Sequence, residues 1–488
     1  MSQERAIARV LPASVCGMTG SIQEARLSHW TLWFGGLAFF TCYLGQTVLG
    51  VIQPTIATEL QLSASEAQWV VNAFFLTLAL FAAPGGRLGD YYGHREVLLV
   101  ALLVFGLGSL SAAVAQGFVW LVVSIAVAGI GASTLYPSSA AMIANRVSTE
   151  RRGDAIGKYS AIGVSVFVIG PVLAGLLTEV ISWRALFGLQ VVVGLGLVLV
   201  GLFKVDSRAV GKPEQFDIKG LVVLMAGLSA VLVALMQALA WGWDSAATIS
   251  LFTVGVVVVG AFCVLELRTA HPLLDMGLLR RGVLRGIVVA MFTAQFVITG
   301  FIIYIATYFQ HVLGYGPLLA ALAMVPAMLA APAFNIITGR ATDRVGARLP
   351  ATIGYLATAV AFAWLAIFVD DESYPLLLPG LLVLSTAFSP MFTSLLTGLS
   401  NAVAPQERGD ANALVLTVRW IGAAAGTMVG GVIIHSGATP GQAPGAGPYA
   451  TVFTVLVGVT LVGALACVFL LPGGPQQAQK PSHFRPHF

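Results

Sequence analysis

Fourteen apolar segments, each about as long as a membrane-crossing helix, dominate this 488-residue chain. A run of about 20 apolar residues spans a bilayer as a helix, with its backbone hydrogen-bonded internally. Hydrophobic residues make up 58% of the chain and charged residues 9%, which excludes an ordinary soluble protein. We therefore predict an all-α membrane protein. Its fourteen helices are expected at 30–53, 69–88, 97–116, 118–140, 158–178, 183–203, 219–240, 246–266, 286–309, 318–340, 349–369, 375–397, 411–433 and 450–471.

Two charged turns between these segments occur twice. The turns Gly86–Arg95 and Gly339–Arg348 begin 339 − 86 = 253 residues apart, and Glu150–Ala155 is echoed by Glu407–Ala411. Matched turns at a nearly fixed offset indicate a duplicated membrane unit, an organisation typical of transporters. The residues that the first pair of turns shares are Gly86, Arg87, Asp90, Gly93 and Arg95, repeated as Gly339, Arg340, Asp343, Gly346 and Arg348.

The charges are segregated between the loops. Of the 25 Lys and Arg residues, all but Arg184 and Arg419 lie in the termini or the even-numbered loops, that is 25 − 2 = 23. The odd-numbered loops carry acidic residues instead. Because basic loops stay in the cytoplasm, we predict a multi-pass plasma-membrane protein with both termini cytoplasmic. The net charge of +4 reflects this topology, and we expect no nucleic-acid partner.

Neither the tails nor the cysteines add a second function. Residues 1–29 are predicted to form a polar cytoplasmic tail without a signal peptide, and residues 472–488 are predicted to form a second cytoplasmic tail. The four cysteines have neither metal-ligand nor disulfide spacing. We expect no metal and no cofactor.

Several motifs, in this order along the chain, resemble those of the major facilitator superfamily, specifically its fourteen-helix drug–proton antiporter family. The turn Gly86–Arg95 resembles the family's loop between helices 2 and 3, and 339–348 its degenerate counterpart. Gly170–Gly175 resembles the helix-5 antiporter signature, with Ala174 where a second glycine is usual. Further segments that look like family marks are Trp183-Arg184, Trp241–Asp244 and His271–Asp275.

The resemblance covers roughly residues 30–470 and implies a major facilitator fold. It implies an N-terminal six-helix bundle at 30–203, a linker with two extra helices at 204–285, and a C-terminal six-helix bundle at 286–471. Such bundles rock about a central cavity to open each side in turn. We expect a monomer that binds a small hydrophobic substrate and protons within the lipid bilayer.

The repeated turns are expected to form a cytoplasmic gate. The resemblance implies a latch in which Asp90, Arg87 and Arg95 pair across the interface between the bundles. The alternative is that these charges only fix the topology, but topology requires basic residues and not an acid, which favours the latch for Asp90. For Asp343 the two interpretations are evenly balanced.

Helix 5 carries Gly163, Gly170, Pro171 and Gly175. Pro171 interrupts the backbone hydrogen bonding of a helix that must otherwise satisfy every group internally. The pattern predicts a bend, or close packing of small residues, or both. The resemblance to the antiporter signature implies export and not import.

Arg419 is the deepest charge, and it shares a helix face with Gly422 and Gly426. A charge at that depth costs at least about 2.5–3.5 kcal/mol unless it is paired or hydrated. Arg419 is therefore either a functional residue in a cavity or a structural arginine that binds backbone carbonyls.

The usual coupling charges are missing. Gly45 and Ile125 stand where the family commonly has an Asp in helix 1 and an Arg in helix 4, and no acid lies inside an apolar run. What remains is neutral and suits a lipophilic, weakly polar substrate, although each such group could instead be an interhelical hydrogen bond. The candidate cavity residues are Gln46, Gln53, Asn72, Tyr136, Gln295, Tyr304 and Asn335, together with Arg419.

These features predict a secondary transporter that exports lipophilic drugs or natural products by alternating access, driven by protons. The alternative is an uncoupled facilitator of a lipophilic solute, favoured by the absent coupling charges. An intramembrane enzyme or a receptor is a third possibility, but the helices carry no hydrolase or metalloprotease motif, and we do not expect an enzyme.

Overall fold

The computed structural model describes residues 28–474 except 148–151, 207–216, 243, 270–272, 405–406 and 437–443. Within these residues every regular element is helical, and fourteen helical spans are long and apolar enough to cross a membrane. The predicted all-α fold and its helix count are therefore confirmed. Most of the tails expected at 1–29 and 472–488 lies outside the described residues.

The helices follow one another with short connections. We number the fourteen membrane-length spans α1 to α14. They are α1 His29–Glu59, α2 Ala64–Tyr92, α3 His94–Ala113, α4 Phe118–Ala144, α5 in two segments Arg152–Val164 and Val166–Val180, α6 Trp183–Lys204, α7 Ile218–Trp241, α8 Ala246–Glu266, α9 Gly282–His311, α10 in two segments Pro317–Met324 and Ala331–Val345, α11 Arg348–Phe368, α12 Tyr374–Ala402, α13 Arg408–Ser436 and α14 Ala446–Leu470. Short 3₁₀ segments lie at Met276–Arg280, Val325–Ala327 and Val369–Asp371.

Many helices begin at a side-chain cap. Ser63 and Glu66 form a reciprocal capping box at the start of α2, and Asp217 accepts from the backbone N–H of Gly220 at the start of α7. These caps satisfy N–H groups that have no partner within the helix. They place the helix ends at the loops where the charged residues lie.

Helix boundaries repeat between the two halves of the chain. α2 spans Ala64–Tyr92 and α10 spans Pro317–Val345, so both ends shift by 253 residues (317 − 64 and 345 − 92). The turns repeat as well, since Gly93 and Gly346 both have positive φ, 100° and 85°. A left-handed backbone favours glycine, which explains why this residue recurs in the charged turn.

We call the side with the even-numbered loops the basic face and the other side the acidic face. The innermost helices are α1 and α9, in which 89% and 83% of the residues of an apolar 18-residue stretch are buried. α2 packs along α13, and the inserted helix α7 packs against both of them. Accordingly 72% of the same kind of stretch is buried in α2 and in α13. Only 33% is buried in α10 and in α5, the helices that correspond to α2 and α13 in the other half. The inserted helices therefore cover one of two related interfaces.

Candidate functional site

A buried arginine lies at the centre of the molecule. Arg419 on α13 is 7% exposed. Its Nε and Nη2 donate to Gln295 Oε1 at 3.2 and 2.9 Å, and Nη2 also donates to Tyr43 Oη at 3.3 Å. Its guanidinium carbon lies 5.0 Å from the centroid of the Phe392 ring. No described acidic residue pairs with it, so this buried charge is solvated by neutral acceptors and an aromatic face.

A chain of hydrogen bonds extends from this arginine across both halves. Gln295 Nε2 donates to Thr299 Oγ1 at 3.1 Å, and Gln46 Nε2 on α1 donates to the same oxygen at 3.3 Å. Gln46 Oε1 is buried and has no hydrogen-bond partner among the described residues. Three of the predicted cavity residues thus belong to one network, and they leave acceptor capacity unused at its centre.

Tyr43 and Thr299 belong to this network but are not among the predicted cavity residues, and Thr299 is the one that the sequence pattern indicates. It follows Gln295 by four residues and Gln46 by 253, so helix periodicity and the repeat offset together mark it. Either signal alone is weak, because a threonine in an apolar helix usually donates its hydroxyl proton to a backbone carbonyl of its own helix.

Aromatic side chains surround the first-half side of the network. The Tyr43 ring lies 5.0 to 5.9 Å from the rings of Phe39, Tyr136, Phe167 and Trp420. Tyr136, a predicted cavity residue, is half-buried in this cluster. The cluster supplies an apolar wall next to the polar network, the composition that small-molecule sites commonly have.

The missing helix-1 acid has a steric explanation. A Cβ placed on Gly45 would lie 2.4 Å from Cζ of Phe74, so no side chain fits without moving that ring. Ile125, at the position of the expected helix-4 arginine, is 1% exposed and belongs to the apolar core. The Phe74 ring occupies the space beside Gly45, and apolar side chains surround Ile125. Neither position accommodates a charged side chain in this packing.

Three other predicted cavity residues hold helices together. Thr427 on α13 donates to Asn72 Oδ1 on α2, and Tyr304 on α9 donates its hydroxyl proton to the carbonyl of Thr427. Asn335 on α10 accepts from Thr393 on α12 at 2.8 Å. These contacts are interhelical hydrogen bonds, the alternative that the sequence left open. Gln53 is half-buried near the acidic face.

A narrow cleft with room for about one water molecule lies between the two halves. Phe167 belongs to both its wall and the aromatic cluster around Tyr43, so the cleft and the arginine network are neighbours. The residues that line it are Thr47, Phe167, Val168, Pro171, Ile302, Ala321, Met324, Val325 and Met328. Its lining is almost wholly apolar.

An ion pair on the basic face joins the halves. Arg87 Nη2 at the end of α2 lies 2.8 Å from Asp410 Oδ1 at the start of α13. Asp410 belongs to the second echoed turn, so the two repeated motifs contact each other. Asp90, which the sequence analysis placed in this latch, instead lies 3.3 Å from His94 within its own turn, and its side chain is 71% exposed.

The other turn residues act within one half or lie free of the interface. Arg95 donates to the carbonyls of Gly201 and Leu202 at 3.0 and 3.1 Å and so joins α3 to α6. In the second turn, Arg340 and Asp343 are exposed and Arg348 is half-buried. Among the residues described, only the first copy of the repeated turn therefore forms an ion pair between the halves.

Gly86 and Gly339, the first glycines of the two repeated turns, are half-buried, and each has space for a Cβ atom. A Cβ on Gly86 would lie 3.7 Å from Pro137, and one on Gly339 would lie 4.0 Å from Thr393. Both distances are ordinary contacts, so neither position requires glycine for space.

The acidic face is closed where α5 meets α10. A Cβ on Gly175 would lie 2.6 Å from the carbonyl oxygen of Pro317 and 2.8 Å from Leu318 Cα. Glu179 Oε2 accepts from the backbone N–H of Leu318 at 3.1 Å. Gly175 of the helix-5 motif thus permits direct backbone contact between the halves.

The other helix-5 residues pack against α1. A Cβ on Gly163 would lie 1.9 Å from the Phe39 ring, and one on Gly170 would lie 2.6 Å from Thr47 Oγ1. Pro171 lies inside the segment Val166–Val180, and the interruption of α5 falls at Ser165. The break is therefore earlier than the predicted one, and Pro171 lines the cleft instead.

The remaining family marks divide between described and undescribed residues. Trp183 Nε1 donates to Glu59 Oε2 at 2.7 Å, and Arg184 also pairs with Glu59, which ties α6 to α1 at the acidic face. Trp243 and His271 lie outside the described residues.

Comparison with known proteins gives consistent matches. A family model described as Major Facilitator Superfamily matches residues 35–427 and 331–487. The methyl viologen resistance protein SmvA of Salmonella typhimurium is 31% identical over 82% of this chain and 81% of its own length. The cephamycin export protein CmcT of Amycolatopsis lactamdurans is 28% identical over 94% of this chain and 95% of its own. The crystal structure of the POT family transporter PepTSo superimposes with a TM-score of 0.66, at 14% identity, over 90% of this chain and 96% of that one.

Proposed function

The chain belongs to the major facilitator superfamily of membrane transporters, and we propose that it exports lipophilic small molecules from the cytoplasm by alternating access. We place it in the plasma membrane as a monomer, with the basic face and both termini cytoplasmic. Relatives named for resistance or export support this direction. The helix-5 motif, with its close contact at Gly175, supports it as well.

The arginine network carries the proposal for the cargo. Arg419 Nη1 makes no hydrogen bond to a described residue, and Gln46 Oε1 also lacks a partner. A substrate that enters between the halves meets an apolar wall and these few free polar groups. An uncompensated positive charge repels cations, so neutral and acidic lipophilic molecules fit best.

The alternation follows from two contacts at opposite ends. The Arg87–Asp410 pair holds α2 against α13 at the basic face, and the Gly175–Leu318 contact holds α5 against α10 at the acidic face. Export requires that the acidic-face contact opens while the halves close further at the basic face. Because α7 already covers the α2–α13 interface, the α5–α10 side is the one with room for the cleft to widen.

Proton coupling is the proposed energy source. The central network contains no carboxyl among its described members, so the proton has to be carried at the rim or by the substrate's own acid group. The rim candidates are Asp90, Glu179, Asp244, Asp370, Asp371 and Glu372. The same absence favours the alternative of uncoupled facilitated diffusion with the same fold.

Reconstituted protein and three dyes of matched size test the cargo. Neutral, anionic and cationic lipophilic dyes are loaded in turn, and the protein-dependent flux of each is measured. The proposal expects flux of the neutral and anionic dyes well above that of the cationic dye. A strict preference for the cation would contradict the role of Arg419, and no flux of any dye would contradict the cargo class.

A further inference from the structure

Two carboxyl groups of the inserted helices meet at the basic face, outside the central cavity. Glu266 at the end of α8 is 2% exposed. Its Oε2 accepts from the backbone N–H of Leu274 at 3.0 Å, whereas its Oε1 is buried without a hydrogen-bond partner among the described residues. A buried carboxylate oxygen without a donor is costly, so its state requires an explanation.

Asp217 presents a matching oxygen. Its Oδ1 accepts from the backbone N–H of Gly220 at 2.8 Å and caps α7, and its Oδ2 is buried and likewise unpartnered. A Cβ built on Gly220 would lie 2.4 Å from Glu266 Oε1 and 2.7 Å from Asp217 Oδ2. The two oxygens are therefore at most 2.4 + 2.7 = 5.1 Å apart. Two unpaired carboxyl oxygens thus face the same small space.

Two negative charges on such a pair are electrostatically unfavourable. Two carboxylates that share a site shielded from water repel each other, and binding one proton between them relieves both the repulsion and the missing donor. A glycine at position 220 is what allows this approach, since any side chain would fill the space between the two oxygens.

The charged neighbours connect this site to the latch. Arg87, which pairs with Asp410 on α13, also lies close enough to act electrostatically on Glu266. Arg87 is on α2, which packs against α7. The other titratable neighbour on α8 is the half-buried thiol of Cys263. Among the described groups, Arg87 is therefore a positive charge that acts on both Glu266 and Asp410.

We propose that Glu266 and Asp217 form a proton-binding site that controls the Arg87–Asp410 latch. With one proton on the pair, Arg87 remains with Asp410 and the basic face is held. When the proton passes to water, the second carboxylate attracts Arg87 and weakens the latch. This proposal rests on the proposed function only in taking the Arg87–Asp410 latch as the contact that keeps the basic face closed. Protonation of the Glu266–Asp217 pair is measurable without transport.

Infrared spectroscopy of the purified protein tests the proton directly. Wild-type protein at neutral pH is expected to show the C=O band of a protonated carboxyl, and Glu266→Gln to lack it. Asp275→Asn is the matched control, because Asp275 caps the 3₁₀ segment at Gly277 in the same way but is not part of the pair. A wild-type spectrum without such a band, or one unchanged by Glu266→Gln, would overturn the proposal.

Spin labels test the link to the latch. Cysteines replace the exposed Tyr92 and Asn412, at the ends of α2 and α13, in a chain whose native cysteines are alanine. Raising the pH is expected to lengthen the distance between the labels in the parent, and Glu266→Gln to keep it short at every pH. Asp217→Asn, which retains a capping side chain, serves as a second variant and is also expected to remove the pH response.

A pH-dependent distance that persists in both variants would contradict the link. Failure of every dye to be transported would leave both measurements standing, so the site and the proposed function fail separately.

Discussion

Gln46 Nε2 donates to Thr299 Oγ1 at 3.3 Å, and these two residues are 253 positions apart, the offset that separates the repeated turns. Gly50 and Ile303 have the same offset, and a Cβ on Gly50 would lie 3.0 Å from Ile303 Cα. Equivalent residues of the two halves can touch only where the axis relating the halves passes. The axis therefore runs between α1 and α9, beside the arginine network.

Breaking the latch is expected to favour opening of the basic face. Arg87→Gln removes the charge that joins α2 to α13. The pair is partly exposed, and such pairs contribute about 0.2–1 kcal/mol, so the population of open molecules is expected to rise by up to about fivefold. Labelling of a cysteine at the basic face measures this rise. Arg340→Gln, at the equivalent exposed position of the second half, is the control and is expected to change little.

Reversal of the pair sharpens that test. Arg87→Asp and Asp410→Arg are each expected to increase labelling, and the double variant is expected to return toward the wild-type rate. Additive effects in the double variant would show that the two side chains do not act through each other.

The glycines Gly422, Gly426 and Gly430, which recur every four residues on α13, are expected to be intolerant of a methyl group. A Cβ on Gly426 would lie 2.2 Å from the carbonyl oxygen of Phe296 on α9, so α13 has to move away. We expect Gly426→Ala to destabilise the protein by roughly 1–3 kcal/mol, visible as a lower Tm in detergent. Gly458→Ala on α14 is the matched control, because no described atom lies within 4 Å of its Cβ position. Equal Tm values for the two variants would contradict the close packing.

Replacing the central arginine is expected to change selectivity. Arg419→Gln keeps hydrogen-bonding capacity but removes the charge. Since hydrogen bonds to charged groups contribute about 1.5–3 kcal/mol, the KM for an anionic dye is expected to rise by about tenfold or more. Arg419→Lys is expected to retain part of the preference, and the exposed Arg344→Gln to leave it unchanged. If Arg419→Gln altered only protein yield or Tm, the arginine would be structural.

One ion pair at the basic face gives a pH-dependent stability. Arg281 donates two hydrogen bonds to Glu407, at 2.8 and 2.7 Å, and these hold the pKa of Glu407 below its ordinary value. A lowered folded pKa means that the pair stabilises the protein above the unfolded pKa of about 4.3 and ceases to do so as pH falls through the folded value. The Tm difference between wild type and Glu407→Gln should therefore be largest near neutral pH and vanish in acid. A constant difference would contradict this assignment.

The sequence predicted the periodic features well. The helix count and the depth of Arg419 follow from hydropathy and spacing, because a bilayer permits only long internally bonded helices. The partner of Arg87 did not follow, since Asp410 lies 323 residues away and only the packing of α2 on α13 brings the two together. The same holds for Asp90, whose acid group is satisfied locally by His94.

The inserted helices were the least predictable part. Hydropathy located them at 219–240 and 246–266, but nothing in it indicates that α7 covers one of two equivalent interfaces. Nor does it indicate that Glu266, at the edge of an apolar run, turns inward toward Asp217. Charge at a helix end is usually solvated, so its burial becomes evident only when neighbouring helices are in place.

Accumulation against a concentration gradient tests the central claim most directly. The protein is reconstituted into vesicles with an imposed pH gradient, and a neutral lipophilic dye is supplied on the side that the basic face contacts. The account predicts that the dye accumulates beyond its equilibrium level on the other side, and that collapse of the pH gradient abolishes this accumulation. Equilibration without accumulation, at the same rate with or without the gradient, would contradict proton-driven export and identify an uncoupled facilitator.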